Sequence, residues 1–232
     1  AIGVGTQNLQ GNWLEVFYPQ PLLNPPRELV HALAGKLGYH GGNQTLSLDA
    51  GLVAGLAESV QAAGFSAQAE VLETLESSDA NYFLSGQAGT GKSLVLREFV
   101  KNTAKQVVVC APTGIAAANV DGVTIHSLFH LPVQEHFIGF SPSPHKETDK
   151  VLARVDAIVI DEASMVRADM LDAMDLRLQL AREESRPFGD TQIIMIGDLL
   201  QLPPVVTPES RQPIRDRYPS EYFFDSDVAR AT

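Results

Sequence analysis

The stretch Gly86-Gln87-Ala88-Gly89-Thr90-Gly91-Lys92-Ser93 decides the fold. It follows the short apolar run Tyr82-Phe83-Leu84 and precedes Leu94 to Val100, an amphipathic segment. A G-x-x-x-x-G-K-[ST] string between a strand and a helix is a phosphate-binding loop. The glycines let the backbone curl so that its N–H groups point at phosphate oxygens, and the helix start adds partial positive charge. In that setting Gly86, Gln87, Ala88, Gly89, Thr90, Gly91, Lys92 and Ser93 all cradle a nucleoside triphosphate. Lys92 reaches the β- and γ-phosphates, and the Ser93 hydroxyl is a ligand for Mg²⁺. A Gly-rich turn with a solvated lysine is the bland alternative, and it leaves both flanks unexplained.

Outward from this loop, further apolar runs alternate with helical segments. Val107 to Ala111, Ala157 to Ile160 and Gln192 to Ile196 are short and rich in Val and Ile, as expected of parallel strands buried on both faces. Between the last two, Met170, Leu171, Met174, Leu178 and Ala181 share one face of a helix predicted over 169–184, with charges on the other. The predicted fold is α/β, a parallel sheet of RecA-like P-loop NTPase type flanked by helices. Residues 131–149 hold Pro132, Pro142 and Pro144 without periodicity, so they are expected to form an irregular insertion.

Two of these strands end in polar groups. Ile158-Val159-Ile160 runs into Asp161-Glu162, which the strand delivers to the carboxyl edge of the sheet, where ligands bind in open parallel sheets. There Asp161 can hold Mg²⁺, and Glu162 can orient and deprotonate an attacking water. A helix N-cap is the competing reading of a lone Asp-Glu pair. Ile194-Met195-Ile196 runs into Gly197-Asp198-Leu199-Leu200-Gln201-Leu202-Pro203-Pro204. A neutral amide such as Gln201 can bond a γ-phosphate and lose that bond after hydrolysis, although the same residues could form only a turn and a stiff connector.

The 232 residues are 44% hydrophobic and 19% charged, which suits a sizeable core and excludes disorder throughout. The net charge of −11 means that any nucleic-acid groove must be a local feature on an acidic background. No apolar run is long enough to span a bilayer, so no membrane partner is expected. Cys110, the single cysteine, ends an apolar run and reads as a small buried strand residue. The first residues lack a secretory signal, and a cytoplasmic location is the simplest expectation.

Residues 1–66 have a different texture. Trp13 to Pro19 is aromatic, Pro21 to Pro26 is Pro-rich, and apolar residues then recur at helical spacing over 29–37 and 52–63. The expected organisation is a small helical N-terminal unit over 1–66 followed by an ATPase domain over 67–232.

Taken together, Gly86 to Ser93, Ala111-Pro112-Thr113-Gly114-Ile115-Ala116-Ala117, Thr124-Ile125-His126-Ser127-Leu128-Phe129, Asp161 to Val166, Gly197 to Pro204 and Tyr222-Phe223-Phe224-Asp225 resemble the Pif family of superfamily-one DNA helicases, a RecD-like group. The resemblance covers about residues 70–232. It implies an ATP- and Mg²⁺-dependent enzyme that moves 5′ to 3′ on single-stranded DNA and unwinds duplex. Roles in DNA repair, replication, recombination and telomere maintenance go with the family; the expected location is cytoplasmic, bacterial and nucleoid-associated. The same resemblance gives Lys92, Glu162 and Gln201 catalytic roles, Ser93 and Asp161 metal contacts, and Pro112, Thr113, Gly114, His126 and Ser127 contacts to the DNA backbone. Such groups position phosphates without adding charge. Phe129 could stack on a base, or belong to the core.

The family's second motor domain, with its arginine finger, is not matched in this chain. An arginine finger contributes about 10³ to 10⁵ in turnover, so binding of ATP is expected to outlast its hydrolysis, and unwinding by this chain alone is not expected. Trp13 to Pro21 and Leu37 to Gln44 instead resemble the helical start of tetrahydrodipicolinate succinyltransferases, without that family's hexapeptide repeats and with no catalytic role implied. A nucleotide-dependent switch without DNA movement is the alternative reading of the motor, and a remnant of a succinyltransferase fusion that of the amino-terminal part.

Overall fold

The computed structural model describes residues 8–9, 13–18, 66–86 and 91–232. Its centre is a sheet of seven strands: β1 (Asn8–Leu9), β2 (Trp13–Tyr18), β3 (Tyr82–Gly86), β4 (Val107–Ala111), β5 (Val123–Thr124), β6 (Ala157–Ile160) and β7 (Gln192–Gly197). Their order across the sheet is β1-β2-β3-β7-β6-β4-β5, and every pairing is parallel except the antiparallel pair β1–β2. The helices are α1 (Ser66–Ser77), α2 (Lys92–Asn102), α3 (Gly114–Asn119), α4 (Ile125–Leu128), α5 (Lys146–Leu152), α6 (Ala168–Arg182), α7 (Pro208–Arg217) and α8 (Asp227–Ala231).

The period of two along the strands divides the core into two layers. Phe83, Cys110, Ile158, Ile160, Ile193 and Met195 face one side, where Leu171, Met174 and Leu178 of α6 cover them. Tyr82, Leu84, Ala157, Val159, Ile194 and Ile196 face the other, under Val71 and Leu75 of α1 and Val95, Leu96 and Phe99 of α2. The predicted parallel strands and the α6 face are therefore as expected, and Cys110 is buried with its thiol pushed up by burial.

The structure differs from the expected pattern in three places. First, α6 has no purely charged outer face: Asp169, Asp175 and Arg177 are all buried. Each has a partner; Arg177 donates to Phe129 O (2.9 Å), Ser143 O (2.9 Å) and Asp149 Oδ1 (2.7 Å), and Asp175 accepts from the Phe188 amide (2.6 Å). Second, residues 131–149 are irregular over most of their length yet packed, with Leu131 and Phe137 in the core and α5 starting at Lys146. Third, Trp13–Tyr18 is a strand that extends the sheet in parallel on β3, in register from Leu14 with Tyr82 to Tyr18 with Gly86. The aromatic and β-branched content of this run suits a strand. The helical patterns over 29–37 and 52–63 lie outside the described residues.

Candidate active site

The strand order explains which polar groups meet. β3, β7 and β6 are neighbours, so their carboxyl ends bring Gly86, Asp198 and Asp161-Glu162 to one edge although they are far apart in the chain. α2 starts beside them. Gly91 stands at its N-cap with φ 90°, a left-handed conformation that glycine adopts without strain. The first intrahelical bonds run from the Leu94 and Val95 amides to Gly91 O (2.9 and 3.0 Å), and Lys92 and Ser93 occupy the helix start itself. Gln87, Ala88, Gly89 and Thr90 lie outside the described residues.

Lys92 Nζ donates to Gly86 O across the loop. Burial lowers its titration, while Asp198, Glu162 and Asp161 pull it the other way. Burial also raises the Asp161 carboxyl, against the stabilising Glu162 amide and Lys92. Glu162 is raised by burial first and by Asp161 and Asp198 next, with Lys92 opposing. One ammonium is thus set among three carboxylates at the carboxyl edge of the sheet, partly removed from water. The donor set fits a divalent cation with anionic phosphates: Ser93 and Asp161 could supply hard oxygen ligands, and charge balance favours a dication. Among the described residues no three His, Cys, Asp or Glu side chains form a metal cage, so such an ion would take its other ligands from phosphate and water.

Two backbone details hold the carboxylates. The Asp161 amide donates to Cys110 O (2.9 Å), tying the end of β6 to β4. Glu162 then takes φ 52°, a left-handed conformation costly for a side chain of this size, and opens the turn Ala163–Met165. That turn lies against Gly197: a Cβ there would stand 3.0 Å from Ser164 N and 3.1 Å from Ala163 N. Glycine at this position therefore lets the ends of β6 and β7 approach.

Asp198 is the residue the sequence reading left without a role. Burial works against its ionisation, yet Gln201 Nε2 (2.9 Å), the Leu200 amide (3.0 Å) and nearby Lys92 hold it below the usual carboxylate range. The available signal was its place directly after an apolar strand, as for Asp161. Gln201 itself is exposed and rests on Asp198.

The five residues assigned to DNA contact lie at the ends of β4 and β5, which are adjacent at one side of the sheet. Thr113 caps α3 by accepting from the Ala116 amide (3.2 Å), so its O–H is what it can offer a phosphate. Gly114 faces open space beside half-exposed Pro112. Ser127 is exposed, and its amide is held by the Thr124 hydroxyl (3.2 Å). His126 is half-buried, and burial together with Arg167 lowers its titration, so its ring is a neutral hydrogen-bonding group at pH 7. Phe129 is fully buried, which settles it as a core residue and removes it as a base-stacking platform.

A parallel sheet with a Gly-Lys-Ser helix start after one strand and carboxylates after the next two strands on one side of it defines a P-loop NTPase domain of RecA-like type. The PIF1-like helicase family model matches residues 64–221, and the chain belongs to that family. It is 36% identical over 169 residues to the ATP-dependent DNA helicase PIF1 of Saccharomyces cerevisiae, covering 69% of this chain and 19% of the relative. To the Pif1 helicase of Bdellovibrio bacteriovorus it is 35% identical over 165 residues, covering 68% and 37%. Among solved structures, Bacteroides Pif1 bound to ssDNA superposes with a TM-score of 0.65 at 36% identity, covering 69% of this chain and 38% of that one. The chain thus spans about a fifth to two fifths of the relatives it matches. The family match begins at residue 64 and lends no support to the succinyltransferase resemblance of the segment before it. No helix among the described residues is long and apolar enough to cross a membrane.

Proposed function

We propose that this chain is the first motor domain of an ATP-dependent DNA helicase, with residues 67–232, joined by β2, as its nucleotide-binding unit. The observation that carries the reading is the meeting of Lys92, Asp161, Glu162 and Asp198 at the ends of three adjacent strands. ATP is the substrate. The 86–93 loop and the start of α2 bind its phosphates, with Lys92 on the β- and γ-phosphates. Ser93 and Asp161 would hold Mg²⁺, which supplies charge neutralisation on the phosphates when bound. Glu162 accepts the proton of the attacking water, and its raised titration makes it a better base than a solvated carboxylate. Gln201 reads the γ-phosphate after leaving Asp198.

Single-stranded DNA runs past Pro112, Thr113, Gly114, His126 and Ser127, held by neutral hydrogen bonds to its phosphates. The Bacteroides relative has been captured with ADP-AlF3 and ssDNA together, which supports both partners for this chain. Unwinding and 5′ to 3′ movement belong to the same proposal, as does a bacterial, nucleoid-associated location, of which the Bdellovibrio relative supports the bacterial source alone.

The test is a titration of a fluorescent ATP analogue with Mg²⁺ against the parent chain, Lys92→Ala and Asp161→Ala, with and without oligo(dT). Binding by the parent, loss in both variants and a DNA-dependent shift are expected. Binding that survives both substitutions overturns the nucleotide site. Nucleotide binding that DNA never alters would favour the switch reading instead.

A further inference from the structure

Arg167 and Asp169 stand just before and within the first turn of α6, next to both candidate sites but assigned to neither. Both are buried, and they pair twice: Arg167 Nε to Asp169 Oδ1 at 2.9 Å and Arg167 Nη2 to Asp169 Oδ2 at 3.0 Å. Each partner also holds a different loop. Arg167 Nη1 donates to Val205 O (3.3 Å), four residues after Gln201. Asp169 Oδ2 accepts from the Phe137 amide (2.7 Å), and the Phe137 ring lies 6.0 Å from that of His126.

The two loops are also joined directly. Thr207 Oγ1 donates to Glu135 Oε2 (2.8 Å), and Ile138 and Val206 pack on one small cluster with Ala168, Ile214 and Tyr218. The segment that follows Gln201 and the segment that packs on His126 therefore form one unit, with the ion pair at its centre. A buried pair adds little net stability over apolar replacements, and its best-attested use is to fix one arrangement among several.

We propose that the Arg167–Asp169 pair is a positioning device that couples the Gln201 loop to the His126 turn, so that the nucleotide state sets the placement of a DNA contact. The inference rests on the helicase reading above. When Gln201 exchanges Asp198 for a γ-phosphate, the strain on residues 198–207 passes through Val205 O and Arg167 to Asp169, and from its carboxylate to Phe137 and the His126 ring. Proximity alone does not establish such a route; a change in coupling does.

The experiment uses this chain, the double variant Arg167→Met with Asp169→Asn, and the milder Arg167→Lys. The double variant removes both charges together and leaves an amide oxygen for Phe137 N–H; Arg167→Lys keeps the charge but loses the fork that reaches Val205. The readouts are the His126 ring proton signal in NMR and the affinity for oligo(dT), each with Mg-ADP and with Mg-ATPγS. In the parent chain the His126 signal is expected to move between the two nucleotides and DNA affinity to change by about 5-fold or more. In folded variants nucleotide affinity stays within about 2-fold of the parent, while the His126 shift and the affinity ratio collapse towards none and one. Folded variants that keep the parent's coupling overturn the proposal. So does a parent chain that binds nucleotide without moving His126, which leaves the nucleotide site standing. A parent chain that binds no nucleotide overturns the helicase reading and this proposal together.

Discussion

Gln201 Nε2 donates to Asp198 Oδ2 at 2.9 Å, so the amide proposed to sense a γ-phosphate is held by a carboxylate three residues before it. The exchange of that bond for one to phosphate is close to neutral in number of hydrogen bonds, which suits a sensor that must let go. Gln201→Ala should therefore leave ADP affinity within about 2-fold and weaken ATPγS by about 2- to 10-fold, the worth of one neutral hydrogen bond. Titration calorimetry with the two nucleotides measures it. Equal losses for both would show that Gln201 supports the loop and does not read the third phosphate.

Burial raises both Glu162 and Asp161, and Asp161 and Asp198 raise Glu162 further. A base works only when deprotonated, so hydrolysis should decline as pH falls through a Glu162 value above that of a solvated glutamate. Glu162→Gln should lower single-turnover phosphate release by about 10²- to 10⁴-fold while nucleotide binding persists. The stability sign is opposite. A carboxyl raised in the folded state favours folding most at low pH and loses that contribution as pH rises through its folded value. At pH 7.5 without nucleotide, Glu162→Gln should then melt at or above the parent, by no more than about 2–4 °C, the shift that about 1 kcal/mol makes in a chain this size. A clear drop in melting temperature would show that the ionised carboxylate is structurally required.

Gly197 is where the sheet end and the Glu162 turn touch. Gly197→Ala places a Cβ 3.0 Å from Ser164 N, and backbone rather than a flexible side chain must yield. Overpacking of this kind costs about 1–3 kcal/mol. The displaced turn carries Glu162, so phosphate release should fall further than the stability loss explains at a temperature where the variant is fully folded. Unfolding in urea and single-turnover rates separate the two effects; unchanged values in both would mean that the turn has room the distances do not show.

Much of this site was legible because apolar strands end abruptly in polar residues. Tyr82 to Ser93 and Ile158 to Glu162 each state a strand, its end and its chemistry within a dozen residues. What a linear reading could not supply was the order of strands: β7 inserts between β3 and β6, and only that puts Asp198 beside Lys92. Burial of charge was equally hidden. Asp169, Asp175 and Arg177 look solvated by composition, and each is buried because a partner distant in sequence satisfies it. Trp13–Tyr18 was hidden for another reason, since the proline-rich run and helical spacing after it outweighed six residues of strand character.

Arg177 offers the sharpest test of that buried charge. Its guanidinium is almost fully enclosed and is the shared donor to Phe129 O, Ser143 O and Asp149 Oδ1, which stand before, within and after the irregular 131–145 segment. Arg177→Met keeps the volume but leaves two carbonyls and a carboxylate without their donor. Breaking a buried pair from one side costs about 3–5 kcal/mol. If the loss is global, the urea midpoint falls by the full amount and proteolysis follows it. A loss confined to the insertion would instead cut residues 131–145 under native conditions while β3, β6 and β7 stay protected from hydrogen exchange, and nucleotide affinity would hold. The second pattern is expected, because the strands that lead to Gly86, Asp161 and Asp198 are packed by Phe83, Ile158, Ile160 and Met195 without help from Arg177. A variant that loses under about 1 kcal/mol would show that water replaces the guanidinium.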